Sequence, residues 1–284
     1  MKILVTGAMG QLGKAIIGQE NSDYEIIGSG KEDEAFTEFV GIDVTKAESM
    51  KQIITEISPD LVINSAAFTD VDGCERNQEL AENVNFKGAE NVANACADVG
   101  CKMIQISTDY VFDGKTGSYT EEDSVNPIQE YGKSKLKGER SVIEILGNDA
   151  KIIRTSVVFG NNSSNFVTWI IDKLKHGENL KIVDDQWVSP TSTKFLASSI
   201  LSIAELPAGM ILNIASSEKI SRLEMAYHIA EIFGFDSRLI SPTTMGKIDW
   251  GAPRPMDSSL DCSKFGKFGN LAHFGRMVEM EFLN

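Results

Sequence analysis

The chain has 284 residues, 42% hydrophobic and 24% charged, and its 27 Lys and Arg against 41 Asp and Glu give a formal net charge of −14. This is a globular composition with enough chain for one large domain or two closely associated ones. The acidic excess repels nucleic acid and anionic lipid, so neither is expected as a partner, and no segment is apolar for long enough to span a bilayer.

The sequence opens on a strand-like run, Lys2-Ile3-Leu4-Val5-Thr6, which leaves no room for a signal peptide, so a cytoplasmic location is expected. Further strands are predicted at 24–28, 39–42, 60–64, 102–107, 151–154 and 210–214, each short and rich in Ile, Val or Leu. Helices are predicted between them at 11–20, 46–57, 78–99, 130–146, 164–176, 191–204 and 221–233. The last begins with a capping box, Ser221 to Glu224, and closes at Gly234. Residues 108–129 read as an active-site loop, and 235–262, with Pro242, Pro253 and Pro255, as irregular. Alternating strands and helices predict an α/β fold, a doubly wound parallel (Rossmann) sheet with a smaller C-terminal substrate-binding domain. Residues 1–160 are assigned to the dinucleotide-binding domain, with a return to it around 190–215, and 161–284 mainly to the substrate side.

Gly7, Gly10 and Gly13 follow the first strand and open a helix. In that context the first glycine permits the turn, the second admits a pyrophosphate and the third lets helix and strand pack, while the N–H groups of Gln11, Leu12 and Gly13 face the anion. The segment after the second strand offers Lys31, which either meets a 2′-phosphate or is a solvated loop lysine; the expected cofactor is NADPH, with NADH left open. Asp43, before Val44, either bonds an adenine amine, or Asp43 or Thr45 caps the next helix. Ala66, Ala67 and Phe68 either lie against ribose and nicotinamide or form a tight turn.

Tyr131 and Lys135 lie four apart in the predicted helix 130–146, on one face about a turn apart. They are either an exposed surface pair or an acid-base pair in which the cation favours phenolate. Thr108 ends the fifth strand and is expected beside Tyr131 at the carboxyl edge of the sheet, where its hydroxyl can hold a carbonyl. The cysteines, Cys74, Cys96, Cys101 and Cys262, form no C-x-x-C pair, and His176, His228 and His273 are too widely spaced to suggest a metal site.

Together these motifs resemble the extended short-chain dehydrogenase/reductases, and most closely the dTDP-4-dehydrorhamnose reductase family. The resemblance runs through Gly7 to Gly13, Asn64 to Asp72, Ser107 to Gly114, Tyr131 to Glu139, Arg154-Thr155-Ser156, Asp184-Asp185-Gln186 with Pro190-Thr191, and Arg254-Pro255 with Ser259-Leu260-Asp261. It implies Thr108, Tyr131 and Lys135 as the catalytic trio: NADPH gives hydride to C4 of a keto sugar, Tyr131 protonates O4, Lys135 holds the cofactor ribose and lowers the tyrosine pKa, and Thr108 orients the carbonyl. The implied reaction converts dTDP-4-dehydro-6-deoxy-L-mannose to dTDP-L-rhamnose, the alternatives being an NAD-dependent nucleotide-sugar epimerase or a non-catalytic subunit like the partner of methionine adenosyltransferase. Tyr110 stands where related dehydratases carry Glu, which argues against dehydration. On the substrate side, Val71 and Asp72 align with a contact segment or form a packed loop, Asp109 meets a sugar hydroxyl or makes an Asx turn, and Arg254 grips the diphosphate or makes a structural salt bridge. Val157 replaces a Trp often found in the family and Val188 a Gly, so a reshaped pocket is expected. Lys194 stands where an acid would join a magnesium site at a dimer contact, so no metal is expected, and homodimerisation is left open.

Overall fold

The computed structural model describes residues 1–19, 23–30 and 39–283. Seven parallel strands form the main sheet: β1 (Lys2–Thr6), β2 (Glu25–Gly30), β3 (Phe39–Gly41), β4 (Leu61–Asn64), β5 (Lys102–Thr108), β6 (Ala150–Thr155) and β7 (Met210–Asn213). Their order is β7-β6-β5-β4-β1-β2-β3. The chain therefore winds outward from β1 in one direction, returns, and winds out through β4 in the other. The crevice at the carboxyl ends of β1 and β4 is the switch point where such sheets bind ligands.

Alternation along each strand builds two apolar layers. Ile3, Val5, Ile63, Ile104 and Ile153 face one side, where α1 (Gln11–Ile17) and α6 (Thr193–Ser202) cover them. Leu4, Val62, Met103 and Ile152 face the other, against α2 (Ala47–Ile57), α3 (Gly88–Val99) and α4 (Glu130–Leu146). Near the carboxyl ends a buried polar ladder crosses three strands: Thr6 Oγ1 donates to Asn64 Oδ1 (2.5 Å), Asn64 Nδ2 to Gln105 Oε1 (2.7 Å) and Gln105 Nε2 to the Ile106 carbonyl (2.8 Å).

The helix predicted over 78–99 is not uniform. It runs as Gln78–Ala81, a π-helical turn Glu82–Lys87, and then α3. Such turns rotate a side chain off the α-helical face and concentrate at functional sites. Beyond β6, α5 (Phe166–Lys175), α7 (Arg222–Phe233) and α8 (Phe274–Phe282) join the first apolar layer through Val167, Met225 and Phe274. The capping box of α7 forms as expected, with Gly234 in the left-handed region at φ 70°. Further features depart from expectation, among them an unpredicted short helix Val71–Arg76 and strand Leu180–Val183. Ile240–Thr243, read as irregular, pairs in parallel with Leu180–Val183, because Pro242 sits on a two-stranded edge where its missing N–H is tolerated. The helix Phe274–Phe282 was not predicted. Among the described residues no helix is long and apolar enough to cross a membrane.

Candidate active site

The glycine turn after β1 is held by close approach. Gly7 has φ 67°, and a Cβ there would lie 2.6 Å from the Ala66 nitrogen; one on Gly13 would lie 2.4 Å from the Gly7 carbonyl oxygen. Gly10 donates to the Gly7 carbonyl (3.0 Å) and heads α1 with no side-chain cap and no acid in the first turn. The first amides of α1, those of Gln11, Leu12 and Gly13, therefore present positive dipole ends without a competing carboxylate. A groove of about 330 Å³ runs from Gly7 and Gly10 past Val44, Ala66, Ala67 and Phe68. Its small residues and left-handed glycine fit a dinucleotide, which needs backbone to come close to pyrophosphate and ribose. Asp43 Oδ1 accepts from Thr45 N (3.0 Å) and Thr45 Oγ1 (2.8 Å) in a local turn, and neither residue caps α2, whose N-cap is Lys46 with no side-chain cap bond. Lys31 lies outside the described residues.

A second cavity, of about 310 Å³, opens at the carboxyl ends of β5 and β6 and includes Gln11, Val71, Thr108, Asp109, Tyr131 and Val157 in its wall. Thr108 is the last residue of β5, and its hydroxyl lines the same cavity as the Tyr131 phenol and donates to Asp109 Oδ1 (3.0 Å). What brings α4 so close is Gly132, where a Cβ would lie 2.0 Å from the Tyr110 carbonyl oxygen. Tyr110 in turn packs edge-on against Tyr131, with ring centroids 6.1 Å apart. Burial pushes the phenol well above its usual value, against the opposing pull of the nearby Thr108 hydroxyl. The group is thus held protonated, as a proton donor must be.

Lys135 is buried one turn further along α4, so the pair is not an exposed surface pair. Its Nζ donates to the Ile106 carbonyl (2.6 Å), the same oxygen that ends the polar ladder. Burial lowers its pKa to about 8, opposed by the charge of Glu139. In this geometry burial dominates the phenol, and the ammonium is engaged by backbone. Glu139 forms a buried bidentate pair with Arg154 (3.1 and 2.7 Å), whose guanidinium lies 5.2 Å from the Phe112 ring centre.

Asp109 lies in the cleft wall, and its side chain does not make the Asx turn. Its carboxyl is a buried hub accepting from Thr108 Oγ1 (3.0 Å), Ser156 Oγ (2.7 Å) and Ser258 Oγ (2.5 Å), and burial raises its pKa against those three hydroxyls. The turn after β5 is instead stabilised by Thr108, whose Oγ1 accepts from Tyr110 N (3.2 Å). Val157 lies in the cleft wall with φ 42°, a strained conformation for a β-branched residue. Val188 is fully buried in a short strand pair with Ile220–Ser221 and does not line the cleft, so only one of the two expected pocket changes lies there. Arg254 donates from Nη2 to Asp72 Oδ1 (2.8 Å) and from Nη1 to the Ala252 carbonyl (3.0 Å), which is the salt-bridge alternative. It borders a third cavity of about 290 Å³ that also includes Phe166, Trp169 and Trp250.

Two functional residues escaped the sequence reading. Asn85, carried by the π-helical turn, accepts from Phe68 N (2.8 Å) and donates to the Phe68 carbonyl (3.0 Å) and Ser134 Oγ (3.0 Å), tying the groove loop to α4. Arg222 lines both the cleft and the third cavity. A signal existed for it: a cation at the first position of a helix opposes the macrodipole and calls for a reason.

Comparison with known proteins matches the RmlD substrate binding domain model to residues 1–276. The chain belongs to the RmlD family. It is 38% identical to the spore coat polysaccharide biosynthesis protein SpsK of Bacillus subtilis, covering 99% of this chain and 96% of that one. It is 34% identical to a dTDP-4-dehydrorhamnose reductase of Mycobacterium tuberculosis over 94% of this chain and 87% of that one. Among solved structures, the dTDP-4-dehydrorhamnose reductase of Bacillus anthracis in complex with NADP superposes with a TM-score of 0.92 at 31% identity, covering 99% and 98% of the two chains. RmlD membership accords with the oxidoreductase expectation and with the parallel sheet described above.

Proposed function

We propose that this protein uses NADPH to reduce the 4-keto group of a nucleotide-linked deoxysugar, with dTDP-4-dehydro-6-deoxy-L-mannose as substrate and dTDP-L-rhamnose as product. The observation that carries the reading is the Tyr131 phenol beside Thr108 in a cleft that shares the carboxyl edge of the sheet with the glycine-turn groove. The groove residues Gly7, Gly10, Val44, Ala66, Ala67 and Phe68 would hold the dinucleotide, with Lys135 near its ribose. When bound, NADPH supplies a hydride. Thr108 orients the carbonyl oxygen, Tyr131 transfers its phenolic proton to that oxygen as negative charge develops, and the nearby ammonium of Lys135 favours the resulting phenolate. Residues 1–160 would carry the cofactor side and 161–284 mainly the sugar side, with β7 returning to the sheet.

The test is to incubate the purified protein with NADPH and a panel of 4-keto nucleotide sugars while following the loss of reduced-cofactor absorbance. Stoichiometric consumption with the dTDP-linked 4-keto-6-deoxy sugar is expected, together with a fall of about 10²–10⁴-fold in the Tyr131→Phe variant. Sugar interconversion without net oxidation of NADPH would instead support the epimerase alternative, and full activity of Tyr131→Phe would remove the proposed acid.

A further inference from the structure

The cleft holding Tyr131 and the aromatic cavity beside it share two wall residues, Tyr110 and Arg222. On the nucleotide-sugar reading above, a substrate with its sugar in the cleft and its base against Phe166, Trp169 and Trp250 passes its diphosphate between the two cavities. We infer that Arg222 is the principal anchor for that diphosphate, and that Arg254 is a strut that shapes the aromatic cavity; the inference rests on the nucleotide-sugar reading.

The two guanidinium groups differ in what already satisfies them. Arg254 is paired with Asp72 at 2.8 Å and with the Ala252 carbonyl at 3.0 Å, so a phosphate arriving there must share a charge that is already balanced. Arg222 uses only its Nε, which donates to Gln186 Oε1 (3.2 Å), while its guanidinium carbon lies 4.8 Å from the Phe166 ring centre. Among the described residues no carboxylate comes within ion-pair distance of Arg222, and its two terminal nitrogens donate to nothing. The acid whose field it feels, Asp109, has its oxygens engaged by three hydroxyls. Gln186 and Phe166 thus fix the plane of the guanidinium and leave its outer edge for two parallel hydrogen bonds to phosphate oxygens.

Isothermal titration of thymidine diphosphate and of thymidine into the full-length protein, in the presence of NADPH, tests the assignment with Arg222→Gln, Arg222→Lys and Arg254→Gln. Arg222→Gln is expected to weaken thymidine diphosphate binding by at least about tenfold and to leave both thymidine and NADPH affinity unchanged. Arg222→Lys, which keeps the charge and loses the fork, should fall between it and the parent protein, and Arg254→Gln should lose less than Arg222→Gln. Should Arg222→Gln fold poorly, as loss of NADPH affinity would reveal, the comparison of Arg222→Lys with Arg254→Gln decides by the same ranking. Unchanged diphosphate affinity in the Arg222 variants, equal losses for thymidine and its diphosphate, or a loss confined to the intact nucleotide sugar would each overturn the anchor role. A parent protein that binds neither thymidine diphosphate nor uridine diphosphate would instead bring down the nucleotide-sugar reading itself.

Discussion

Replacing Glu139 by Gln removes one charge from a pair that is almost wholly inside the protein, with side-chain exposures of 4% for Arg154 and 2% for Glu139. Arg154 would keep an acceptor but lose its counter-charge, and its Nη1 already has no hydrogen-bond partner. Breaking a buried pair from one side costs about 3–5 kcal/mol, because the remaining charge stays desolvated. At about 2–4 °C per kcal/mol for a chain of this size class, the midpoint of thermal unfolding should fall by on the order of 10 °C. A double variant, Glu139→Leu with Arg154→Met, should recover most of that loss. The same carboxylate props up the charge of Lys135, whose pKa burial has lowered to about 8. Lys135 is charged below that pH and neutral above it, so the basic limb of kcat/KM for NADPH in the parent protein should fall near pH 8. In Glu139→Gln the limb should move to lower pH, since loss of the negative neighbour disfavours the ammonium. A limb that stays in place or moves upward, or a double variant whose loss equals the sum of the single ones, would refute the reasoning.

Asn85→Ala should cost about 1–3 kcal/mol by leaving the amide and carbonyl of Phe68 without their side-chain partner, and should raise the Kd for NADPH more than it lowers stability elsewhere; urea unfolding and cofactor titration measure both. Val157→Gly removes a β-branched side chain from φ 42°, where strain costs on the order of 1–3 kcal/mol, so its urea midpoint should equal or exceed that of the parent; a drop of more than about 2 kcal/mol would show that the conformation carries little strain. Lys151, buried in β6 with Nζ donating to the carbonyls of Ile203 (2.8 Å) and Ala204 (2.9 Å), has a pKa lowered to about 8. The unfolded chain therefore binds more protons at this site between about pH 8 and 10.5, so the site makes stability rise with pH across that window, and Lys151→Met should flatten the rise in a pH series of unfolding midpoints.

What was legible in the sequence was local. The glycine turn, the alternation of strands with helices and the i, i+4 spacing of Tyr131 and Lys135 are all carried by neighbours in the chain, and each appears where expected. The rest depends on partners far apart in sequence. Asp109 could be read only as a sugar contact or an Asx turn, because Ser156 and Ser258, the hydroxyls that enclose it, lie 47 and 149 positions away. Asn85 sits in a run whose propensities read as plain helix; the π-helical turn that swings it toward Phe68 is imposed by packing against α4. Spacing places Lys135 one turn from Tyr131, and only the position of β5 beneath α4 shows the Ile106 carbonyl that accepts the hydrogen bond of its Nζ. Arg222 was absorbed into a capping pattern that correctly located the start of α7 and said nothing of the cavities meeting there.

The ladder from Thr6 through Asn64 and Gln105 has a bearing on how steady the cleft is. β1 carries the glycine turn, β4 the Ala66 loop and β5 the Thr108 hydroxyl. If any one of these strands slid by a single position, its amide or hydroxyl would turn over into the opposite apolar layer and its neighbours would lose their partners. The depth of one reacting group relative to the next is therefore gauged by the sheet, and the loops above it can vary in length and sequence without disturbing that alignment.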